Sequence, residues 1–148
     1  IKNQPKNEEK IMKLLFTTIL GLIIAVSANA YEGGSTNVQV HFDKDWSVFK
    51  TSEIAQGDKV LFMYDLERLS ECRSTYNGVK AWTINAYVKF DNESNIRRYS
   101  IGNISEFRLT IPSEATSMEV WFSNTGRGCN TTYDSNYGEN YNFSIAKK

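Results

Sequence analysis

Trp82-Thr-Ile-Asn-Ala-Tyr-Val-Lys-Phe90 is the stretch that decides the fold. Trp82, Ile84, Ala86, Val88 and Phe90 fall on one side of an extended chain, and Thr83, Asn85, Tyr87 and Lys89 on the other. Successive side chains of a strand point to opposite faces, so this period of two reads as a strand with one buried face. The pattern recurs along the chain. Val38, Val40 and Phe42 alternate with Asn37, Gln39 and His41. Phe107, Leu109 and Ile111 share a face, as do Met118, Val120 and Phe122, and Tyr141, Phe143 and Ile145. Lys59–Tyr64 is apolar on both sides, which predicts a central strand covered on both faces. Arg97–Ile101 is a weaker strand.

Turn formers separate these runs: Gly33-Gly34, Gln56-Gly57-Asp58, Asn77-Gly78, Asp91-Asn92, Gly102-Asn103, Pro112-Ser113 and Gly126-Arg127-Gly128. No segment carries a 3.6-residue period. About seven or eight short strands, with turns every 8–12 residues or so, predict a single antiparallel β-sandwich of the immunoglobulin-like or carbohydrate-binding-module kind.

The N-terminus reads differently. Lys13 is a short positive region, Leu14 to Val26 is apolar, and Ala28-Asn29-Ala30 is a small-x-small cleavage signal. That is the grammar of a secretory signal peptide over residues 12–30, cleaved after Ala30. The apolar run is short for a membrane span, which needs about 20 residues. Residues 1–11 precede a start at Met12. Asn7-Glu-Glu-Lys-Ile-Met12 is encodable by a purine-rich run shortly before an ATG, as a bacterial ribosome-binding site read in frame would be. The expectation is a bacterial gene whose start is placed too early, and a product that is secreted or periplasmic.

The chain has 148 residues, with 17 basic and 17 acidic side chains. Removing residues 1–30 leaves 118, takes away four bases and two acids, and gives a net charge of −2. No basic footprint for nucleic acid is present. No membrane association is expected once the signal is removed. Cys72 and Cys129 are the two cysteines. In an exported chain an even count predicts a disulfide, worth roughly 3–4 kcal/mol on the chain-entropy view. Two cysteines and one histidine do not make a spaced metal-ligand set, and no cofactor motif occurs.

The C-terminal run Tyr133-Asp134-Ser-Asn136-Tyr137-Gly138-Glu-Asn140-Tyr141 combines flat aromatic rings with amide and carboxylate groups. Its Asp, Asn and Gly residues suit a tight turn. The same groups suit a sugar, whose C–H faces stack on rings and whose hydroxyls need polar partners. The run resembles the end of starch-binding β-sandwich modules, which close on a Trp-Asp-Asn-Asn-x-Gly-x-Asp/Asn-Tyr pattern. Tyr133 stands where those have tryptophan, while Asp134, Asn136, Gly138, Asn140 and Tyr141 match. In outline it is also similar to a calcium loop, but Ile145 stands where a closing carboxylate is needed. A second resemblance covers nearly the whole mature chain. Val38–Trp46, Gly57–Tyr64, Asp65–Leu69, Cys72-Arg73 and Gly78–Trp82 resemble an uncharacterised family of secreted bacterial domains. That resemblance implies the fold and the disulfide and no activity.

Trp121 is placed on the polar side of its strand, where a large exposed ring invites a partner. Trp46 follows Asp43-Lys44-Asp45 at a strand end, and either caps the sandwich or flanks a ligand. His41 lies on the polar face of the first strand, with no nucleophile motif to accompany it. Trp82 is assigned to the core. Asn92, Asn103, Asn130 and Asn142 head Asn-x-Ser/Thr sequons, which act as glycan acceptors only in a eukaryotic host.

The resulting expectation is an exported, non-catalytic binding module for an α-glucan-like carbohydrate or cell-surface polysaccharide. Its predicted ligand residues are His41, Trp46, Trp121, Tyr133, Asp134, Asn136, Tyr137 and Asn140. The rivals are a secreted protein-interaction, inhibitor or adhesion domain with a protein partner, and a small secreted hydrolase. N-terminal sequencing of the secreted product is expected to begin at Tyr31; a product that retains Ile1 would contradict both the start and the cleavage site.

Overall fold

The computed structural model describes residues 38–148. The upstream extension (1–11) and the signal peptide (12–30) expected from the sequence lie outside these residues. In chain order the strands are β1 (Val38–Phe42), β2 (Val48–Lys50), β3 (Lys59–Tyr64), β4 (Thr75–Tyr76), β5 (Val79–Lys80), β6 (Trp82–Phe90), β7 (Arg97–Ser100), β8 (Glu106–Thr110), β9 (Ser117–Gly126), β10 (Thr132–Asp134) and β11 (Tyr141–Ser144). All seven runs read as strands, the five alternating ones with Lys59–Tyr64 and Arg97–Ile101, form strands. The four additional ones, β2, β4, β5 and β10, have two or three residues each. The only helical pieces among the described residues are two short 3-10 turns, Leu66–Leu69 and Asn136–Gly138.

The strands form two layers. One sheet has the order β2-β1-β3-β8. The other has the order β10-β9-β6-β7, with β11 pairing β9 beyond the end of β10. Pairing is antiparallel except between β1 and β3, where Val38 faces Val60 and Phe42 faces Tyr64 in parallel register. The physical route to that pair is short: the chain turns at Asp43–Ser47 into β2 on the far side of β1, then crosses back to start β3 in the direction of β1. β4 and β5 form a separate hairpin over Asn77-Gly78. Both of its turn residues have positive φ, 50° and 76°, the primed-turn geometry that Asn-Gly favours.

The two inner faces interlock through the residues the alternation marks. Val40, Phe42, Val60 and Phe62 from one sheet, and Ile84, Ala86, Val88, Phe90, Val120 and Phe122 from the other, are buried. Burial of each larger apolar side chain contributes roughly 1.5–3 kcal/mol. Phe122 sits edge-on to Phe42 at 4.8 Å and stacks on Tyr64 at 3.9 Å, so it joins the layers.

Three expectations about faces are corrected. β3 is central in its sheet but covered on one side only: Val60, Phe62 and Tyr64 are buried, while Met63 is 37% exposed. Its apolar outer residues face solvent with their sheet. Trp82 is half-buried at the rim of the core, with the Lys80 ammonium 3.6 Å and the Arg73 guanidinium 4.8 Å from its ring centre. Asn85, on the outer side of β6, is nonetheless buried, as is Ser123 opposite it on β9.

Cys72 and Cys129 are joined, with Cα atoms 5.9 Å apart and a separation of 57 positions in sequence. A crosslink of that span is worth about 4 kcal/mol on the chain-entropy view. It passes close to β9. A Cβ on Gly126 would lie 2.4 Å from the Cys72 carbonyl oxygen and 2.8 Å from its Sγ. Gly126→Ala is therefore expected to lower stability by about 1–3 kcal/mol, the range for overpacking a tight contact. The urea midpoint measures this; an unchanged midpoint would show that the loop gives way freely.

Candidate functional site

The site is built around a charge. The chain leaves β3 through Asp65, whose Oδ1 accepts from the Glu67 amide at 2.8 Å and opens the first 3-10 turn. That turn delivers Arg68 to the interior. The Arg68 Nε donates to Asp134 Oδ2 on β10 at 2.8 Å, and both side chains are fully buried. Arg68 also donates from Nη1 to the carbonyls of Asp43 (2.9 Å) and Ser47 (3.2 Å), and from Nη2 to the Tyr141 hydroxyl (2.6 Å). The Tyr141 hydroxyl donates in turn to Asp134 Oδ1 at 2.5 Å, and Tyr64 donates to Oδ2 at 3.0 Å. One carboxylate thus receives three donors from three elements.

These contacts set the proton equilibria of the phenols. Burial, together with the neighbouring Asp134 charge and its hydrogen bond, pushes Tyr141 up to about 12 and Tyr64 up further. Burial works against the Arg68 charge, but Asp134 and the two tyrosines outweigh it and hold Arg68 above its ordinary value.

Above this floor lies an open cleft of about 530 Å3, lined by Trp46, Tyr133, Asp134, Asn136, Tyr137 and Tyr141 among others. Trp46 lies over the Arg68 guanidinium at 4.7 Å and is still 58% exposed. Tyr133 is 62% exposed and Tyr137 is fully exposed. The backbone here is unusual. Of the seven non-glycine residues with positive φ among the described residues, Trp46 (71°), Asn136 (46°), Tyr137 (60°) and Asn140 (58°) belong to this loop system. Left-handed backbone costs a residue with a side chain roughly 1–2 kcal/mol, and for bulky aromatics it is an outlier. The loop is held by Gly138 and Asn140 amides donating to the Ser135 carbonyl at 2.9 and 2.8 Å.

Five of the eight residues predicted from sequence therefore line one cleft: Trp46, Tyr133, Asp134, Asn136 and Tyr137. Asp134 lies at its floor with its oxygens already occupied, so it braces the cleft instead of meeting a ligand. The other three stand apart. His41 is on the outer face of the β2-β1-β3-β8 sheet, stacked on Phe49 at 4.4 Å and in contact with Gln39 Oε1 at 3.2 Å. Trp121 is on the outer face of the opposite sheet. It is half-buried and stacked on Tyr87 at 5.3 Å, so the free ring expected there is covered on one side. Asn140 turns away to donate to Glu119 Oε2 at 3.0 Å. Arg68 and Tyr141, which organise the site, were not anticipated as site residues. Nothing local marks Arg68, because Asp134 lies 66 residues away in sequence.

The model of the family described as Family of unknown function (DUF6209) matches residues 27–146, and the chain belongs to that family. No curated protein matches it, and no solved structure does. The match agrees with the resemblance to an uncharacterised family.

The raised phenols give a pH dependence. Tyr141 binds its proton more tightly folded, at about 12, than unfolded, at about 10. Its contribution is present in full below the unfolded value and is lost as pH rises through the folded one, and Tyr64 acts with the same sign. The urea midpoint is expected to fall between pH 8 and pH ~11.5. The fall should be smaller in Tyr141→Phe; an equal fall in both proteins would assign it to other groups.

Proposed function

We propose that this member of the family is an exported, non-catalytic glycan-binding domain whose ligand lies in the cleft between Trp46 and Tyr137. The observation that carries the reading is the pair of exposed aromatic side chains that line this cleft, both held in left-handed backbone. Strain of this kind persists only where surrounding structure imposes it, and it clusters at ligand clamps. Trp46, Tyr133 and Tyr137 offer flat faces to sugar C–H surfaces. Asn136 commits its Nδ2 to the Asn140 carbonyl at 3.3 Å, which leaves its Oδ1 as an acceptor for a hydroxyl. A few polar groups on an otherwise apolar surface are what orient a small ligand.

The non-catalytic part of the reading is supported by Asp134. A general acid or nucleophile must reach the substrate, and this carboxylate is closed off by Arg68, Tyr64 and Tyr141. Export is supported by the signal-like N-terminus and by the disulfide, which persists in oxidising compartments. α-Glucans are the first probes because Tyr133–Tyr141 resembles the closing run of starch-binding modules.

One observation favours a protein partner instead. Phe49, His41 and Met63 form a cross-strand row on the outer face of the first sheet, and Phe49 and Met63 are exposed. A glycan array combined with an α-glucan pull-down separates the two readings. The purified chain is expected to bind a glycan. Tyr137→Asn is expected to weaken binding by about tenfold or more while melting no lower, since asparagine tolerates left-handed backbone. Binding to no glycan would end the sugar reading, and binding that survives Tyr137→Asn would move the site elsewhere.

A further inference from the structure

A second open hollow of about 480 Å3 adjoins the first, and Glu67, Ser70, Glu71 and Thr132 contribute to its walls. Trp46 and Tyr133 line both hollows. The two are therefore halves of one groove with an aromatic ridge between them. Building on the glycan reading, we propose that this groove takes an internal stretch of an uncharged polysaccharide, with sugar units in both halves, and does not take a single sugar.

Size is the first argument. Each half alone falls in the range of about 300–1,000 Å3 typical of a small-ligand site, so one sugar unit leaves the other half empty. Charge is the second argument. The cation in the groove wall, Arg68, is fully buried and bonded through all three of its nitrogens. The ionisable groups left facing the second half are the carboxylates of Glu67 and Glu71, and Glu67 is paired with Arg73 at 2.7 Å. A uronate chain would meet like charge there with no free cation to receive it.

Titration calorimetry of the full chain with ladders from monosaccharide to octasaccharide tests this, using α-glucan, β-glucan and chitin series with oligogalacturonate as the charged arm. Affinity in one neutral series is expected to rise by about tenfold or more between disaccharide and hexasaccharide and then level off. A disaccharide that binds as tightly as a hexasaccharide would overturn the two-part groove and leave the glycan reading standing. Equal binding of oligogalacturonate would overturn the preference for an uncharged chain. Binding of no ladder at any length would overturn the glycan reading itself, and this inference with it.

Discussion

The Arg68–Asp134 pair is the constraint on which the rest of this end of the molecule depends. Two charges are taken out of water, at an effective cost of several kcal/mol each. Their attraction offsets this only if the remaining hydrogen-bonding capacity is filled, and here it largely is. Asp134 receives Arg68, Tyr64 and Tyr141, and Arg68 also donates to the carbonyls of Asp43 and Ser47. Those partners come from β3, the first 3-10 turn, β10, β11 and the β1–β2 turn. Removing one member would strand the other in the interior, a loss of about 3–5 kcal/mol. Replacing both by apolar residues of similar volume would be far milder, so the network is better understood through the geometry it imposes than through its net energy.

That geometry is the position of Trp46. Its ring lies over the Arg68 guanidinium, and its turn is tied down at Asp43 and Ser47 by the same side chain. A tryptophan at φ 71° would relax if its loop were free. The charge network supplies the restraint on that rim, and the Ser135 carbonyl, with its two amide donors, supplies it for Tyr137. An exposed aromatic residue in left-handed backbone adds little to folding, since it buries little surface and carries backbone strain. On the glycan reading, stability and ligand capture pull in opposite directions at both positions, as at strained functional sites.

How much of this was legible in the sequence follows from the range of each interaction. Alternation is local and strong, so Ile84 to Phe90 and Met118 to Phe122 declare their faces directly. The Cys72–Cys129 link follows from count and compartment. The parallel β1–β3 pair was not legible, because the three residues of β2 carry no period and hide the excursion that makes it. The one-sided burial of β3 escaped for a related reason: an apolar run does not reveal which of its faces the fold covers. Trp121 and Tyr87 are both outward on their strands, yet cross-strand register stacks them, and no one-dimensional pattern contains a register. The Tyr133–Asn140 run was visible as a motif. Its floor was not, because an arginine flanked by leucines acquires meaning only when the fold brings Asp134 to it.

The segment from Leu66 to Arg73 shows how an irregular wall can be rigid. It has no sheet ladder, so its backbone carbonyls need other donors if they are to be buried. Side chains provide them. Asn124 Nδ2 donates to the carbonyls of Leu69 at 3.3 Å and Glu71 at 2.5 Å, and Arg73 donates to those of Leu66 and Leu69. The disulfide fixes the far end at Cys72, and Arg68 fixes the middle. This wall bounds the second half of the groove, while Trp46 and Tyr133 form the ridge. On the glycan reading, a groove whose walls are set before a ligand arrives loses little conformational freedom on binding, so more of each stacking and hydroxyl contact survives as affinity. In a chain this small, crosslink, buried charge and carbonyl-bound side chains do for a loop what a sheet does for a strand, and they leave the outer aromatic faces free.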